Sequence, residues 1–376
     1  MARNSAAMLI MAVLCLCAMG LVMLLSVGAF SVDNRGDSMY FVIRQSVWLL
    51  MGFVACWVLA KTDYHKMVRF APWMIGLSAV LILACFVPGL GKKLNGAHRW
   101  LSLGPINIQP SEIVKLAVVV FCAWWLGEKQ DQVHEFKMGV AVPAGVVLFM
   151  CGMLTLQKDL GTCMIIVIIS FLMMFAAGSR LIYLIPVPIL GISGILGIAL
   201  MWPERLQRLL AFLHPELYKD GKGYQIWQAL VAFGSGGTSG LGLGNSVQKM
   251  SYLPEAPTDM IFAIVGEELG LWCTLLVVLL FLTVALSGGC IAVHAPDSTG
   301  SLLGLGAVAL ICLQAGMNMA VVTAMVPAKG LGLPFISYGG SNLLICFACL
   351  GILLNIHRQA EYDIESGRTS HSLAGV

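Results

Sequence analysis

Apolar stretches of bilayer length recur through almost the whole chain, at about 6–30, 41–60, 70–89, 111–127, 138–156, 160–177, 182–202, 260–286, 301–325 and 334–355. A helix needs roughly 20 apolar residues to cross about 30 Å of hydrocarbon, and in hydrocarbon only helices and closed barrels satisfy their own backbone. The pattern therefore predicts an all-α, polytopic membrane protein with about ten transmembrane helices. Composition agrees: 59% of the 376 residues are hydrophobic and 11% charged, against about a quarter charged in soluble domains. A soluble enzyme is excluded. The first run is longer than the ~7–15-residue core of a signal peptide and reads as a first span. The net charge of +3, from 22 basic and 19 acidic residues, lacks the basic excess on which nucleic-acid affinity rests, so no nucleic-acid partner is expected. The twelve cysteines all lie in or beside apolar runs and read as small buried hydrophobes. The CxxC from Cys346 to Cys349 has no histidine nearby, so neither a metal nor a redox role is expected of the cysteines.

An even number of spans puts both ends on one side, and the Lys and Arg content of the short loops places that side, by a small margin, in the cytoplasm. The exceptions carry more information. Lys92, Lys93 and Arg99 fall in one outer segment and Arg205, Arg208, Lys219, Lys222 and Lys249 in another, which points to an anionic ligand on the outside. These segments, 91–111 and 203–258, are longer than simple connectors, and their aromatic residues argue against disorder. The second is a large extracytoplasmic loop between helices 7 and 8. Leu206, Leu209, Leu210 and Leu213 recur in it at helical spacing beside Arg205 and Arg208, predicting an amphipathic helix. Residues 1–356 form one transmembrane domain on this reading. The polar residues 357–376 form a mobile cytoplasmic tail.

Ionisable groups at membrane depth are costly and so mark candidates for function: Glu112, Lys115, Asp159, Asp259, Glu267 and Glu268. Glu112 and Lys115 stand three apart, as suits either an intrahelical pair or a ligand site. Asp159 fits a local turn. Pro254 and Pro257 bar a regular helix from 253–257, so the eighth helix is expected to start near Thr258 as N-cap, with Asp259 in its first turn at the outer mouth. Glu267 would then sit about 12 Å deeper and Glu268 on the opposite side, so the three form no cluster and no glycosidase pair. What remains is one acid at an apolar boundary. Asp259 is either a base with a raised pKa or a carboxylate that stabilises a helix N-terminus. The glycine run 234–244 lacks the Lys-Ser/Thr ending of a phosphate loop and suits close approach of backbone to a bilayer surface or lipid head group. His98, Arg99 and Trp100 could be a ligand, a phosphate clamp and an interfacial anchor. Gln314 and Asn318 suit binding to a neighbouring helix.

Several motifs, in one order, resemble the SEDS family (shape, elongation, division and sporulation): Asn95-Gly-Ala-His-Arg-Trp-Leu101, Ile108-Gln-Pro-Ser-Glu-Ile-Val-Lys115, Gln157-Lys-Asp-Leu-Gly161, Gly240-Leu-Gly-Leu-Gly-Asn-Ser-Val-Gln-Lys249, Tyr252-Leu-Pro-Glu-Ala-Pro-Thr-Asp259, Ile261-Phe-Ala-Ile-Val-Gly-Glu-Glu-Leu-Gly270 and Lys329-Gly-Leu-Gly-Leu-Pro-Phe-Ile-Ser-Tyr-Gly-Gly-Ser341. Leu253-Pro-Glu-Ala256 looks more like the division branch than the elongation branch. The resemblance implies a ten-span bacterial inner-membrane glycosyltransferase, placed at the division septum, that polymerises lipid II into glycan strands at the outer face. It makes Asp259 the family's essential aspartate, hence the general base. It makes Arg99, Lys115, Arg205, Arg208 and Lys249, with Glu112 and Glu255, candidates for holding the substrate. It implies as partners a class B penicillin-binding protein transpeptidase, other division membrane proteins, lipid II and the growing lipid-linked glycan. No cofactor is specified; a divalent cation at the pyrophosphate stays open, although no ligand cluster declares itself. The chain departs from the family pattern at Pro257, where His is usual, at Met260, where Phe is usual, and at Lys158, where Pro is more frequent. The rival readings are a lipid II flippase, with Lys115, Asp159 and Glu267 lining the path, and a non-catalytic division scaffold.

Overall fold

A computed structural model of the chain describes residues 2–28, 39–94, 97–104, 106–187, 189, 191, 193, 194, 197, 212, 217, 218, 221, 223–250, 252–327 and 329–365. The elements, in order, are α1 (Ala2–Gly28), α2 (Met39–Lys61), α3 (Tyr64–Arg69), α4 (Ala71–Ala84), β1 (Gly91–Leu94), β2 (Ala97–Leu103), β3 (Ile106–Ile108), α5 (Pro110–Glu128), α6 (Val142–Leu156), α7 (Leu160–Ala176), α8 (Leu181–Leu184), α9 (Tyr224–Gly236), α10 (Ile261–Val293), α11 (Ser298–Val322) and α12 (Gly340–Glu365). Seven of the described helices are long and apolar enough to span a bilayer, and α4 and α7 are shorter apolar helices. Nine of the ten apolar runs thus coincide with helices. The tenth, 182–202, is described only in part, and Arg205, Arg208, Lys219, Lys222 and the leucines of the expected amphipathic helix, Leu206, Leu209, Leu210 and Leu213, lie outside the described residues.

Burial separates the helices into layers. Along α5 nearly every side chain from Val114 to Ala123 is buried, as a helix apolar on all sides requires. It packs against α4, α7 and α11, while α12 lies along α2, and α10 lies between α1 and α11. The outer helices turn Trp57, Trp73, Leu148 and Trp272 outward, an apolar belt suited to lipid. Helix starts follow local chemistry: Pro110 occupies the first turn of α5, where its missing N–H is harmless. Asp159 caps α7 by accepting from the Thr162 N–H at 3.2 Å, and Asp297 caps α11 through the Gly300 N–H at 2.7 Å.

Three features depart from the sequence-based expectations. The segment 91–108 is a three-stranded antiparallel sheet, with Lys92 opposite Trp100 and Leu101 opposite Ile108, a small β addition to the helical fold. The helix that ends the chain runs past His357 to Glu365. Its polar residues hold a turn at that end of the bundle: Asn355 Nδ2 donates to the Ala60 and Thr62 carbonyls at 2.9 and 2.6 Å, and Gln359 Nε2 donates to Asp63 at 3.0 Å. Residues 366–376 lie outside the described residues. Third, α10 starts at Ile261 rather than near Thr258, and no side chain caps it. Thr258 Oγ1 bonds Glu255 instead.

Candidate active site

At the end of the bundle opposite the α12 C-terminus, four segments meet around Asp259. The first is the turn 254–260 itself. Prolines at 254 and 257 keep it from continuing α10 outward, and the chain closes it on one carbonyl: that of Glu255 accepts from the N–H groups of Thr258, Asp259 and Met260 at 3.1–3.2 Å. Glu255 adopts φ 56, the left-handed region that non-glycine residues enter only at a cost. Asp259 therefore sits ahead of the helix, half-buried, and not in its first turn.

The second and third segments frame the carboxylate. The loop 329–337 passes so close that a Cβ on Gly330 would lie 2.8 Å from Asp259 Oδ2. Asn318 on α11 binds both sides of this junction, donating to the Asp259 carbonyl at 2.7 Å and to the Leu331 carbonyl at 2.6 Å, and the Tyr338 N–H donates to the Pro257 carbonyl at 2.9 Å. The fourth segment is the α6–α7 hairpin tip. On β2, Ala97, Arg99 and Leu101 share one face by the two-residue period of a strand. Ala97 and Leu101 are buried, so Arg99 points inward, where its Nε and terminal nitrogen donate to the Gln157 and Lys158 carbonyls at 3.0 and 2.7 Å. Lys158 has φ 60 and Phe335, in the 329–337 loop, φ 66. Three of the described non-glycine residues with left-handed backbone thus lie in the segments that converge on Asp259, the distribution expected of a functional site.

The electrostatics follow from this arrangement. Burial, helped by the neighbouring Glu255 carboxylate and opposed by the Arg99 guanidinium, pushes the Asp259 carboxyl up to about 7. No hydrogen bond reaches that carboxylate among the described residues, its contacts being made through its backbone. A half-buried acid near neutral pKa with open lone pairs is equipped to accept a proton. No group of three or more His, Cys, Asp or Glu among the described residues could hold a metal; Asp259 and Glu255 are two carboxylates only.

The other candidates are used elsewhere. Lys249 is fully buried in an ion pair with Glu268 at 2.7 Å and also donates to Ser26 at 2.9 Å, so it holds the fold and cannot reach a substrate. Glu268 further accepts from the Ser26 hydroxyl and from the N–H groups of Gly244 and Ser246. Glu267 accepts from the Ser246 hydroxyl and the N–H groups of Val247 and Gln248. The two glutamates expected on opposite sides both grip residues 244–249, a loop that folds onto α10 where the helix breaks at Gly270 (φ 75). The carbonyls of Glu267 and Glu268 are taken by the N–H groups of Leu241 and Gly242 at 2.9 Å, which satisfies the broken backbone internally. The glycine run thus approaches α10 closely: a Cβ on Gly240 would lie 2.3 Å from the Glu268 carbonyl oxygen. Lys115 pairs with Glu112 within α5 at 2.8 Å and with Gln314 on α11, the intrahelical alternative. Arg205 and Arg208 lie outside the described residues.

The FtsW/RodA/SpoVE family, described as cell cycle protein, matches residues 6–362. The chain belongs to this family. It is 40% identical over 357 residues, 94% of this chain and 95% of the relative, to a protein of Geobacter sulfurreducens named probable peptidoglycan glycosyltransferase FtsW. It is 38% identical over 349 residues, 93% of this chain and 92% of the relative, to one of the same name from Trichlorobacter lovleyi. With stage V sporulation protein E of Bacillus subtilis it shares 37% over 356 residues, 94% of this chain and 97% of the relative. Among solved structures it is similar to a chain from a study of structural coordination of polymerization and crosslinking by a peptidoglycan synthase complex (TM-score 0.75, 25% identity, 94% of this chain and 97% of that one). It is also similar to the rod shape determining protein RodA of Thermus thermophilus (TM-score 0.65, 25% identity, 94% and 96%).

In this FtsW/RodA/SpoVE protein one candidate cation was missed by sequence reasoning. Lys329 opens the loop whose Gly330 approaches the Asp259 carboxylate, with its own ammonium against the Met164 sulfur of α7. The available signal was a lysine opening the Gly-Leu-Gly-Leu-Pro motif at the outer end of an apolar run.

Proposed function

We propose that the chain is a division-type peptidoglycan glycosyltransferase that polymerises lipid II at the outer face of the bacterial cytoplasmic membrane, with Asp259 as general base. The observation that carries this reading is the Asp259 environment: a half-buried carboxyl pushed up to about 7, free of hydrogen bonds among the described residues and near enough to feel the Arg99 guanidinium. In the reaction the acceptor sugar's 4-hydroxyl attacks the anomeric carbon of a lipid-linked donor, and Asp259 takes the hydroxyl proton as the new bond forms. The bond to the polyprenyl pyrophosphate breaks on the other side. Pyrophosphate leaves without protonation, so one carboxylate suffices. The charge that develops on it is met by cations, for which Arg99 and Lys329 are the available groups. The Gln157 and Lys158 carbonyls hold Arg99 at rest, and Asn318 fixes the backbone of Asp259. No step is assigned to a divalent cation.

The same reading puts both termini in the cytoplasm, the site outside, and the protein at the division septum beside a class B penicillin-binding protein, in keeping with the peptidoglycan synthase complex to which the fold is similar. A flippase reading draws no support, since the groups that would line its path, Lys115, Asp159 and Glu267, already have protein partners. The test is polymerisation of purified lipid II by the full-length chain with its partner transpeptidase. Asp259→Asn is expected to lower the rate by about 100- to 10,000-fold with expression and partner binding intact. Glycan of normal yield from that variant would sink the assignment.

A further inference from the structure

Cys151 on α6 and Cys163 on α7 face one another just behind the hairpin tip whose carbonyls hold Arg99. Cys163 Sγ lies 3.6 Å from the Cys151 carbonyl oxygen and Cys151 Sγ lies 3.9 Å from the Cys163 carbonyl oxygen. Reciprocal contacts of this kind arise where two backbones come close together, and a disulfide needs a close approach, with Cα atoms about 4.4–6.8 Å apart. All twelve cysteines are free thiols within the described residues, and in no other pair does each sulfur touch the other's backbone. Cys151 is half-exposed beside the outward-facing Leu148 and Phe149, so a reagent can reach it; Cys163 lies beneath.

We propose that Cys151 and Cys163 are a reversible disulfide site that locks the 157–159 tip. The oxidant is another disulfide. The Cys151 thiolate attacks one of its sulfurs and displaces a thiolate. Cys163 then loses its proton and attacks the Cys151 sulfur, displacing the second thiolate. One disulfide is reduced to two thiols, and one forms in the protein. The lock acts on the site because Cys163 is tied to the tip directly, its thiol donating to the Asp159 carbonyl at 3.2 Å, while the Gln157 and Lys158 carbonyls hold Arg99. On the function proposed above, Arg99 must leave these carbonyls or draw the tip with it to meet the charge on the leaving group. A cross-link one turn behind the tip therefore slows polymerisation.

The experiment treats the folded full-length chain, with its partner transpeptidase, with dithiodipyridine, an apolar disulfide, and digests it with trypsin before and after dithiothreitol. Cleavage after Lys158 separates peptides 138–158 and 159–180, so they stay joined only through Cys151 and Cys163. The expected result is a joined pair that dithiothreitol releases, with a several-fold fall in glycan formation that recovers on reduction. Neither effect should occur in Cys151→Ser or in Cys163→Ser, which keeps a donor for the Asp159 carbonyl. Thiopyridine adducts on both cysteines without joined peptides would overturn the disulfide site. Joined peptides with an unchanged rate would overturn the lock. Reduced protein that makes no glycan would count against the proposed function, and the joined peptides would still decide the site.

Discussion

Two acidic neighbourhoods at the same end of the bundle are built from adjoining stretches of chain and treat their carboxylates in opposite ways. Around Glu267 and Glu268 every oxygen is taken, by hydroxyls, backbone N–H groups and the Lys249 ammonium, and both residues are fully buried. A few residues away Asp259 is half-buried, its backbone clamped by Asn318 and Glu255 and its carboxylate free among the described residues. Burying charge is tolerable only when partners replace water, so the first neighbourhood is fit to hold a loop and unfit to exchange a proton. The second has its backbone fixed and its chemistry open. That division of labour, and not acidity itself, is what supports the proposal of Asp259 as the reactive group.

Breaking the anchor gives the largest expected effect. Lys249→Met leaves the Glu268 charge buried beside neutral partners, which should cost about 3–5 kcal/mol of stability, read as a lower unfolding temperature and poor yield in detergent. Adding Glu268→Gln to it removes the stranded charge and should restore part of the loss. If Lys249→Met unfolds like the unmodified chain, the anchor is not what holds residues 240–250.

Breaking the open neighbourhood should leave the fold alone. The Cβ of Gly330→Ala would lie 2.8 Å from Asp259 Oδ2, and the atom that must move is the end of a side chain, so unfolding should hardly change. A displacement of about 1 Å in a reacting group can cost roughly 100-fold in rate. Lipid II polymerisation by this variant measures that loss, and full activity would show that the Gly330 approach does not position the carboxylate.

These contrasts also show what was legible in the amino-acid order. The spans were, because a run of apolar residues of bilayer length admits few structures, and Asp259 stood out because its motif and its place at a polar boundary agreed. The sheet that aims Arg99 was not, since its three short strands alternate over too few residues to outweigh the helical signal around them. The true role of Lys249 depends on residues 240–249 folding onto α10, which brings its ammonium to Glu268, a contact that helix geometry drawn from the sequence does not show. Lys329 was hidden for a related reason: the approach of its loop to Asp259, made at Gly330, closes the chain back over 70 residues. The extension of α12 past His357 was obscured because its polar side chains serve a turn of α2–α3, where a periodicity argument looks for apolar ones.

A smaller effect separates the two charges that act on Asp259. If its deprotonated form is the base, kcat/KM should rise with pH and reach half its plateau near pH 7. The Glu255 carboxylate disfavours ionisation, so Glu255→Gln should move this limb to lower pH. Arg99 favours ionisation, so Arg99→Gln should move it to higher pH while also lowering the plateau. Shifts in the same direction for both would mean that the limb reports another group.

The smallest effect concerns the strain at the tip. Lys158 holds φ 60, which costs a residue with a side chain roughly 1–2 kcal/mol, whereas glycine enters that region freely but loses about 0.5–1 kcal/mol more chain entropy on folding. Lys158→Gly should therefore stabilise the protein by no more than about 1.5 kcal/mol, a rise of a few degrees at most in unfolding temperature. Lys158→Pro should do the opposite, since proline fixes φ near −65° and the turn would have to be rebuilt under Arg99. The informative reading is stability against rate. A variant that is more stable yet slower means that the left-handed tip presents its carbonyls to Arg99 in a geometry that a freer backbone does not keep. If Lys158→Gly is both more stable and as fast, the strain belongs to the connection between α6 and α7 and contributes nothing to the Asp259 neighbourhood.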